Sequence, residues 1–365
     1  MVSVLGLDGA VIRRPANVFY FTGYGASLVR PSFAVVTGER VVLVVPGDAD
    51  SVRKSLDPAI DAVGYLVPGS TVDRVADVDA LSVVALELAI DRAGLAGARI
   101  GVEDGEVSGR HLAAIARRST TVSLGETVSA LRRIKDDDEL ALIRAAVAAN
   151  DVGFAAAAQT IAAGVSEFDV QIAVASAMQY HTGVPIDLLD PNNAFISGPR
   201  TMLAAASATA RRLERGNLMI VDINPVIHRY KGDTTRTFSV GPPTVPQKKV
   251  HEALVRGLEA AEKLGRPGVR ACAVAAALQE PIIAGGYGSL LFHGGHAIGL
   301  EHLERPYIIP GDDLPLEEGM VIALEPGVYL PGVGGLRVED NYLVTSHGLE
   351  ALSHYPREIT VCGDG

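Results

Sequence analysis

The sequence is poor in the residues that mark several common classes of protein. It has two cysteines, Cys272 and Cys362, which stand far apart and lack the spacing of a zinc site. A disulfide framework is thereby excluded, and a reducing, cytoplasmic setting is expected. Basic residues are also in the minority, with 32 Lys and Arg against 43 Asp and Glu. The net charge of -11 argues against a nucleic-acid partner or an anionic membrane surface, because both bind clustered cations.

Targeting signals and long apolar runs are scarce as well. The N-terminal segment MVSVLGLDGAVIRRP has no basic start, and Asp8 interrupts its apolar stretch, so no secretory signal peptide is predicted. No stretch approaches the ~18 apolar residues of a membrane span. With 365 residues, of which 48% are hydrophobic and 21% charged, the chain is long enough for two domains or one large one.

Strand and helix patterns divide the chain into two parts. Residues 1–127 alternate β-branched strands such as RVVLVVP with helices such as GRHLAAIARRS, which predicts an N-terminal α/β domain. Asp136 and Glu139 then form a capping-box pattern ahead of a long helix. Further helices and strand-rich segments follow. We therefore expect a second domain over residues 128–365, built from both helices and strands.

Three acidic residues stand inside strand patterns, where charged side chains are rare. Asp222 lies in LMIVDIN, Glu325 in MVIALEPGVYL and Glu339 in LRVEDNYL. Strand alternation places Asp222 and Glu325 on the same faces as aliphatic residues, and it favours Glu339 over Asp340 as the inward residue. An ionised carboxylate buried there is strongly destabilising unless it is paired, protonated or bound to a metal.

Two sources of positive charge can compensate these acids. A salt bridge between Arg337 and Glu339 is the simplest structural alternative, but it leaves Asp222, Asp233 and Glu325 with too little positive charge. A pair of divalent metal ions matches the charge of four carboxylates, and one neutral histidine is the usual addition to such a set. The stretch FHGGHAIGLEHLERP offers three candidates: His293, His296 and His302.

These residues stand in motifs that resemble those of the pita-bread metallopeptidases, which include prolidase, aminopeptidase P, methionine aminopeptidase and the metal-free creatinase. The resemblance covers nearly the whole chain and is greatest to the prolidase and aminopeptidase P branch. PANVFYFTGY resembles the entry to that branch's first domain, and LRRIKDDDELALIRAA resembles its domain-linking helix. The resemblance implies a creatinase-like N-terminal α/β domain followed by an α+β pita-bread catalytic domain.

The resemblance also implies a metal site and a reaction. Two divalent ions, Mn, Co, Zn or Fe, would share a hydroxide that attacks a small peptide or peptide-like amide. Each implied ligand stands in its own local motif: Asp222 in IVDIN, Asp233 in YKGDTTRTF, His296 in GGHAIGL, Glu325 in ALEPGVYLP and Glu339 in GLRVED. Relatives usually form homodimers, so a homodimer is the expected state.

The chain departs from the family pattern at positions that handle protons. Peptide-cleaving relatives carry a histidine shortly after a Ser-Gly-Pro-Asn segment, but in ISGPRTMLAAASA Arg200 replaces the asparagine and Ala205 the histidine. Relatives also carry a histidine seven residues after the metal-binding one, where this chain has Leu303, with His302 one place earlier. His302 can reach the site if its segment is an extended loop, and it turns away if the segment is a strand.

Three functions remain open at this point. The leading one is hydrolysis of the Xaa-Pro dipeptidase or aminopeptidase P type. The alternative is a pita-bread enzyme adapted to a non-peptide substrate, such as an ectoine hydrolase, a creatinase-like enzyme or a lyase. A non-catalytic binding module is the third, although such modules typically lose metal ligands. The expected catalytic residues are Glu325, His302 and His293, and the expected substrate-binding residues are Arg337, Arg200 and Tyr329.

Overall fold

The computed structural model describes residues 2, 5–26, 30–65, 77–103, 105–186, 193–288 and 294–363. The chain divides into two compact units, Met1–Leu131 and Arg132–Gly365. Each unit is built around its own hydrophobic clusters.

The first unit is an α/β domain with a six-stranded mixed sheet in the order β4-β3-β2-β1-β5-β6. Its strands are β1 (Gly9–Ile12), β2 (Phe33–Thr37), β3 (Val41–Pro46), β4 (Ile60–Tyr65), β5 (Arg99–Val102) and β6 (Thr120–Ser123). Its helices are α1 (Pro15–Thr22), α2 (Ala49–Arg53), α3 (Val78–Arg92), α4 (Gly109–Arg118) and α5 (Thr127–Leu131).

Alternating residues of this sheet enter two different cores. Val35 and Val44 pack with residues of α3 and α4, whereas Ala34, Leu43 and Val45 pack with residues of α1 and α5. Because both faces are covered, the strands read as continuous apolar runs instead of alternating apolar and polar residues. This domain is the α/β domain that the strand and helix patterns predict.

Among the described residues, the second unit combines four α-helices with one mixed sheet and several antiparallel ones. Its helices are α6 (Asp137–Thr160), α7 (Glu167–Thr182), α8 (Val245–Leu264) and α9 (Ala271–Ala284), and a 3-10 helix covers Gly198–Leu203. The predicted capping box is present at the start of α6, where Asp136 and Glu139 each accept the other's backbone N–H. The predicted α+β character of this unit is therefore observed.

Among the described residues, α6 has the length and apolar composition of a membrane span, contrary to the expectation from apolar runs. Packing accounts for this composition. Ile143, Val147 and Phe154 are fully buried, and the ring of Phe154 lies 6.3 Å from that of Phe238. The helix is thus apolar because it forms part of a domain core.

The strands of the second unit form two larger sheets, in the orders β19-β11-β8-β7 and β13-β12-β14-β17-β18, and two hairpins, β9-β10 and β15-β16. The bounds are β7 (Ala194–Ser197), β8 (Leu218–Ile223), β9 (Val226–Ile227), β10 (Tyr230–Lys231), β11 (Thr234–Val240), β12 (Gly295–Ala297), β13 (Glu304–Tyr307), β14 (Val321–Leu324), β15 (Gly327–Leu330), β16 (Gly334–Arg337), β17 (Asp340–Thr345), β18 (Gly348–Ala351) and β19 (Thr360–Cys362).

The alternation of side chains along β8 directs Asp222 away from the helices. Met219 and Val221 pack in the cluster formed with α6 and α7, so Ile220 and Asp222 face the opposite side of the sheet. Asp222 pairs in register with Thr235 of β11. The sheet thereby presents this carboxylate to the interior of the unit, as the alternation pattern predicts.

A substitution at Gly295 tests how closely β12, the strand that contains His296, packs against β14. Its φ is 143°, and an added Cβ would lie 2.0 Å from the carbonyl oxygen of Ala323 on β14. We expect Gly295→Ala to lower the midpoint of thermal unfolding well beyond the loss in Gly311→Ala. Gly311 is the matched control, because its φ is 92° but nothing lies within 4 Å of an added Cβ. Equal losses in the two variants would contradict this account, since both share the strain of a positive φ, roughly 1–3 kcal/mol.

Candidate metal centre

The five residues predicted as metal ligands converge in the second unit. Their ligand atoms form overlapping groups in which all atoms lie within 4.8 Å of one another. One group contains His296, Glu325 and Glu339, and another contains Asp222, Asp233 and Glu339. All five side chains are buried, with no more than 7% of any residue exposed.

Secondary structure explains how residues so far apart in sequence meet. Asp222 lies near the end of β8, and Asp233 directly precedes β11, the neighbouring strand. His296 is in β12, and Glu325 directly follows β14, which pairs with β12. Glu339 lies between β16 and β17, and its backbone N–H donates to the carbonyl oxygen of Thr235. The cluster is thus formed by strands and strand ends from both larger sheets.

The separations between ligand atoms match those around a bound cation. His296 Nε2 lies 3.2 Å from Glu325 Oε1 and 3.4 Å from Asp233 Oδ2. Two atoms that each bind one metal ion at about 2.1 Å lie ~3.0 Å apart in octahedral and ~3.4 Å apart in tetrahedral geometry. The observed spacings fall close to this range.

Two carboxylate oxygens in the cluster have no hydrogen-bond partner among the described residues. They are Asp233 Oδ2 and Glu339 Oε1, and both are inaccessible to solvent. A buried acceptor left without a partner costs ~1–3 kcal/mol, and more when it is charged. Oxygen ligands with one imidazole form a hard to borderline site. These residues therefore fit divalent metal ions.

The pKa shifts within the cluster indicate that its buried acids lack compensating positive charge. Burial raises the pKa of Asp222 to about 7, although Arg337 opposes this shift. Burial and the neighbouring carboxylates raise the pKa of Glu339 well above its usual range. Burial alone would lower the pKa of His296, but contacts with Asp233 and Glu325 raise it well above its usual value. Burial therefore favours the protonated form of Asp222 and Glu339, and the nearby arginine offsets this only in part.

Two polar residues, Asn341 and Thr235, hold the acids in place. Asn341 accepts a hydrogen bond from the backbone N–H of Asp233 at 2.9 Å and donates its amide to the carbonyl oxygen of Asp233 at 2.6 Å. Thr235 Oγ1 donates to Glu339 Oε2 at 2.7 Å. Asn341 is fully buried in β17. A polar amide within the apolar strand pattern DNYLV is the sequence signal that could have identified it.

Arg337 and Tyr329, both predicted to bind substrate, lie together beside the cluster. Arg337 Nη2 forms an ion pair with Asp222. The salt bridge considered from the sequence was instead one between Arg337 and Glu339. Arg337 Nη1 donates to the hydroxyl of Tyr329 at 3.3 Å and to the carbonyl oxygen of Ala204 at 3.2 Å. The guanidinium thus fixes Asp222 and Tyr329 relative to the loop that contains Ala204.

His302 faces the cluster. Residues 298–303 form a loop between β12 and β13, and His302 Nδ1 lies 3.2 Å from Asp233 Oδ2. Leu303, where the family resemblance led us to expect a histidine, is 52% exposed. Burial lowers the pKa of His302, although Asp233 opposes this shift. His293 lies outside the described residues.

Arg200, predicted to bind substrate, makes an internal ion pair. Its Nη1 contacts Glu167, which is fully buried, and its Nη2 donates to the carbonyl oxygen of Ser207 at 2.8 Å. Glu167 also accepts hydrogen bonds from the backbone N–H and hydroxyl of Thr209. These contacts indicate that Arg200 stabilises the loop that contains Ser207. Its role in substrate binding stays a prediction.

The buried acids predict an unusual pH dependence for the metal-free protein. The folded Asp222 carboxyl keeps its proton up to about pH 7, whereas an unfolded aspartate loses it near pH ~4. The folded state therefore binds more protons between these values, and stability is lost as pH rises through them, by up to about 4 kcal/mol. Chemical denaturation of chelated protein from pH 4 to 8 measures this slope.

Asp222→Asn provides the control for that slope, because its amide has a similar shape and does not titrate. The variant is expected to lose a large part of the pH dependence. A slope that is absent from the chelated wild-type protein, or unchanged in Asp222→Asn, would contradict the assignment.

Comparison with known proteins identifies the family. Residues 141–346 match metallopeptidase family M24, and residues 2–134 match the creatinase/prolidase N-terminal domain. An Xaa-Pro dipeptidase of Pyrococcus horikoshii is 30% identical over 97% of this chain and 94% of its own length. An Xaa-Pro dipeptidase of Pyrococcus furiosus is 28% identical over 97% of this chain and 95% of its own.

Solved structures agree with these relatives. An X-Pro aminopeptidase from Thermotoga maritima has a TM-score of 0.84 at 26% identity and covers 99% of this chain and 97% of its own. The prolidase from Pyrococcus furiosus has a TM-score of 0.80 at 28% identity, with 98% and 99% covered. The predicted fold, a creatinase-like N-terminal domain and a pita-bread catalytic domain, is confirmed, as is the resemblance to the prolidase and aminopeptidase P branch. With buried acids arranged for divalent metals, the chain belongs to metallopeptidase family M24 and is a metal-dependent hydrolase.

Proposed function

We propose that this enzyme uses two divalent metal ions to hydrolyse small peptides of the Xaa-Pro type. The observation that carries the proposal is the overlap of ligand groups: Asp222, Asp233 and Glu339 form one, and His296, Glu325 and Glu339 form another. Glu339 belongs to both groups, as expected of a carboxylate that bridges two ions. The relatives named Xaa-Pro dipeptidase support the substrate class.

Asp222, Asp233, His296, Glu325 and Glu339 would hold the ions, which would supply polarisation of the scissile carbonyl and activation of water near neutral pH. The oxygen-rich ligand set suits Mn, Co, Zn or Fe.

Glu325 is the residue best placed to move a proton. It directly follows β14 and its Oε1 lies 3.2 Å from His296 Nε2. We assign it the transfer of the proton from the nucleophilic water to the leaving amine, in addition to its role as a ligand.

Arg337 and Tyr329 are proposed to orient the substrate next to the metals. Thr235, Ala204, Tyr329 and Asp222 all contact the Arg337 guanidinium. These contacts use most of its five N–H groups. Arg337 therefore acts mainly by holding Asp222 and the Tyr329 hydroxyl in position, with limited capacity left for a substrate carboxylate.

The alternative function is hydrolysis or lysis of a non-peptide small molecule on the same metal centre. Ala205, which occupies the position of the histidine in peptide-cleaving relatives, is exposed and follows Ala204, whose carbonyl contacts Arg337. Alanine can neither donate a proton nor hold a tetrahedral oxygen. A substrate that does not need that histidine would suit this site.

We also propose a cytoplasmic homodimer, on the basis of cysteine use and of the family resemblance. Light scattering coupled to size exclusion measures the mass of the particle directly. A mass equal to one chain would contradict the dimer.

Activity assays with added metal test the function. We expect the protein loaded with Mn or Co to cleave Xaa-Pro dipeptides or tripeptides, and chelation to abolish turnover. Asp233→Asn is expected to lower kcat/KM at least about 100-fold, because metal ions supply several kcal/mol of transition-state stabilisation. Asp313→Asn is the matched control, since Asp313 is exposed and pairs with Arg270 on the surface.

The same assays separate the two candidate functions. Absence of turnover on every Xaa-Pro peptide, in protein that holds two metal ions per chain, would contradict the peptidase and favour a non-peptide substrate. Absence of bound metal, together with no activation by added Mn or Co, would contradict both.

A further inference from the structure

His302 contacts the metal cluster although it has no place in the ligand set that the motifs imply. We propose that His302 is a sixth metal ligand, which binds through Nδ1 the cation that Asp233 and His296 also hold. The inference rests on the proposed metal-dependent function and assigns a residue that the family motifs leave out. Asp233, His296 and His302 form a compact group of possible ligand atoms, all within 4.8 Å of one another.

The contact between His302 and Asp233 is not a hydrogen bond. Nδ1 and Oδ2 are 3.2 Å apart, yet neither atom has a hydrogen-bond partner among the described residues. In the tautomer of His302 that is protonated at Nε2, the lone pair of Nδ1 and the carboxylate oxygen repel each other at this distance. A cation bound by both lone pairs removes that repulsion and satisfies both atoms.

The distances around Asp233 support a shared cation. Its Oδ2 lies 3.2 Å from His302 Nδ1 and 3.4 Å from His296 Nε2. Both values fall in the range of ~3.0 to ~3.4 Å expected for neighbouring ligands with bonds of about 2.1 Å. Asp233 itself is only 2% exposed, so this orphaned oxygen is fixed in the interior and directed at the two imidazoles.

A buried ionic network holds the loop that presents His302. Glu304 accepts a hydrogen bond from the backbone N–H of Glu301 at 3.1 Å. The same carboxylate pairs with Arg132 at 3.0 Å and Lys135 at 3.2 Å, and both cationic side chains are almost completely buried. The loop is therefore fixed on either side of His302, as required of a preorganised ligand.

This arrangement gives a chemical reason for the difference from the family pattern at positions 302 and 303. The position that is a histidine in relatives is Leu303, which is 52% exposed. Compared with the family pattern, this chain has leucine at 303 and, one position earlier, a histidine that reaches the cluster. One cation would then be held by two imidazoles together with carboxylates, and the second by carboxylates alone.

This asymmetry predicts different metal preferences for the two positions. Imidazole ligands suit Zn, Co and Fe, whereas carboxylates suit Mn and Mg. We therefore expect two ions that bind with unequal affinity, and a larger effect of His302 on Zn and Co than on Mn.

Metal titration tests the assignment without any activity measurement. Chelated wild-type protein, His302→Ala, His302→Gln and the control Leu303→Ala are titrated with Zn²⁺, Co²⁺ and Mn²⁺ by calorimetry. The visible absorption spectrum of bound Co²⁺ reports its ligands. We expect both His302 variants to weaken one Zn²⁺ or Co²⁺ site at least about tenfold and to change the Co²⁺ spectrum, because loss even of an outer-shell partner weakens binding about 10–100-fold. Leu303→Ala is expected to match the wild type.

The outcomes distinguish the inference from the function on which it rests. Two ions per chain in wild type, with unchanged affinities and Co²⁺ spectra in both His302 variants, would overturn the sixth ligand and leave the metal-dependent function intact. Unchanged binding with an altered pH profile of kcat would make His302 a proton carrier and also overturn it. Fewer than two ions in the wild type would overturn the two-metal proposal itself.

Discussion

The burial of four carboxylates with too little positive charge is the constraint on which the rest of the site depends. Asp222, Asp233, Glu325 and Glu339 are almost inaccessible to solvent, and Arg337 forms an ion pair with Asp222. Such a cluster is stable only if the acids hold protons or bind cations. The raised pKa of Asp222 is the first response, and bound divalent metal ions would be the second.

The fold keeps this unfavourable group of charges together by giving each acid a separate strand or strand end. The opposite faces of those strands pack on apolar helices, so the free energy that stabilises the unit comes from burial away from the acids. Asn341 and Thr235 then fix the orientation of individual carboxylates. The proposed metal centre thereby lies in the interior of the unit, and the loop with His302 lies beside it.

Much of the fold could be predicted from sequence because its signals are local. Apolar runs predicted the first domain, and the Asp136 capping box predicted the start of α6. Whether His302 faces the cluster was not predictable, because it depends on whether residues 298–303 form a loop. The buried ion pairs of Glu304 with Arg132 and Lys135 hold that loop, and they join residues distant in sequence. The contact of Arg200 with Glu167 was also missed, since it joins residues that are distant in sequence and gives no periodic signal. The roles of the ligands themselves stay predictions.

Anomalous diffraction from crystals of the metal-loaded enzyme tests the central claim most directly. Data collected at the absorption edge of Mn or Co locate each ion without reference to activity. The account predicts two anomalous peaks per chain within the cluster, one beside Asp222 and one beside His296, both in contact with Glu339. A single peak in the cluster, or ions bound elsewhere with the cluster empty, would contradict it.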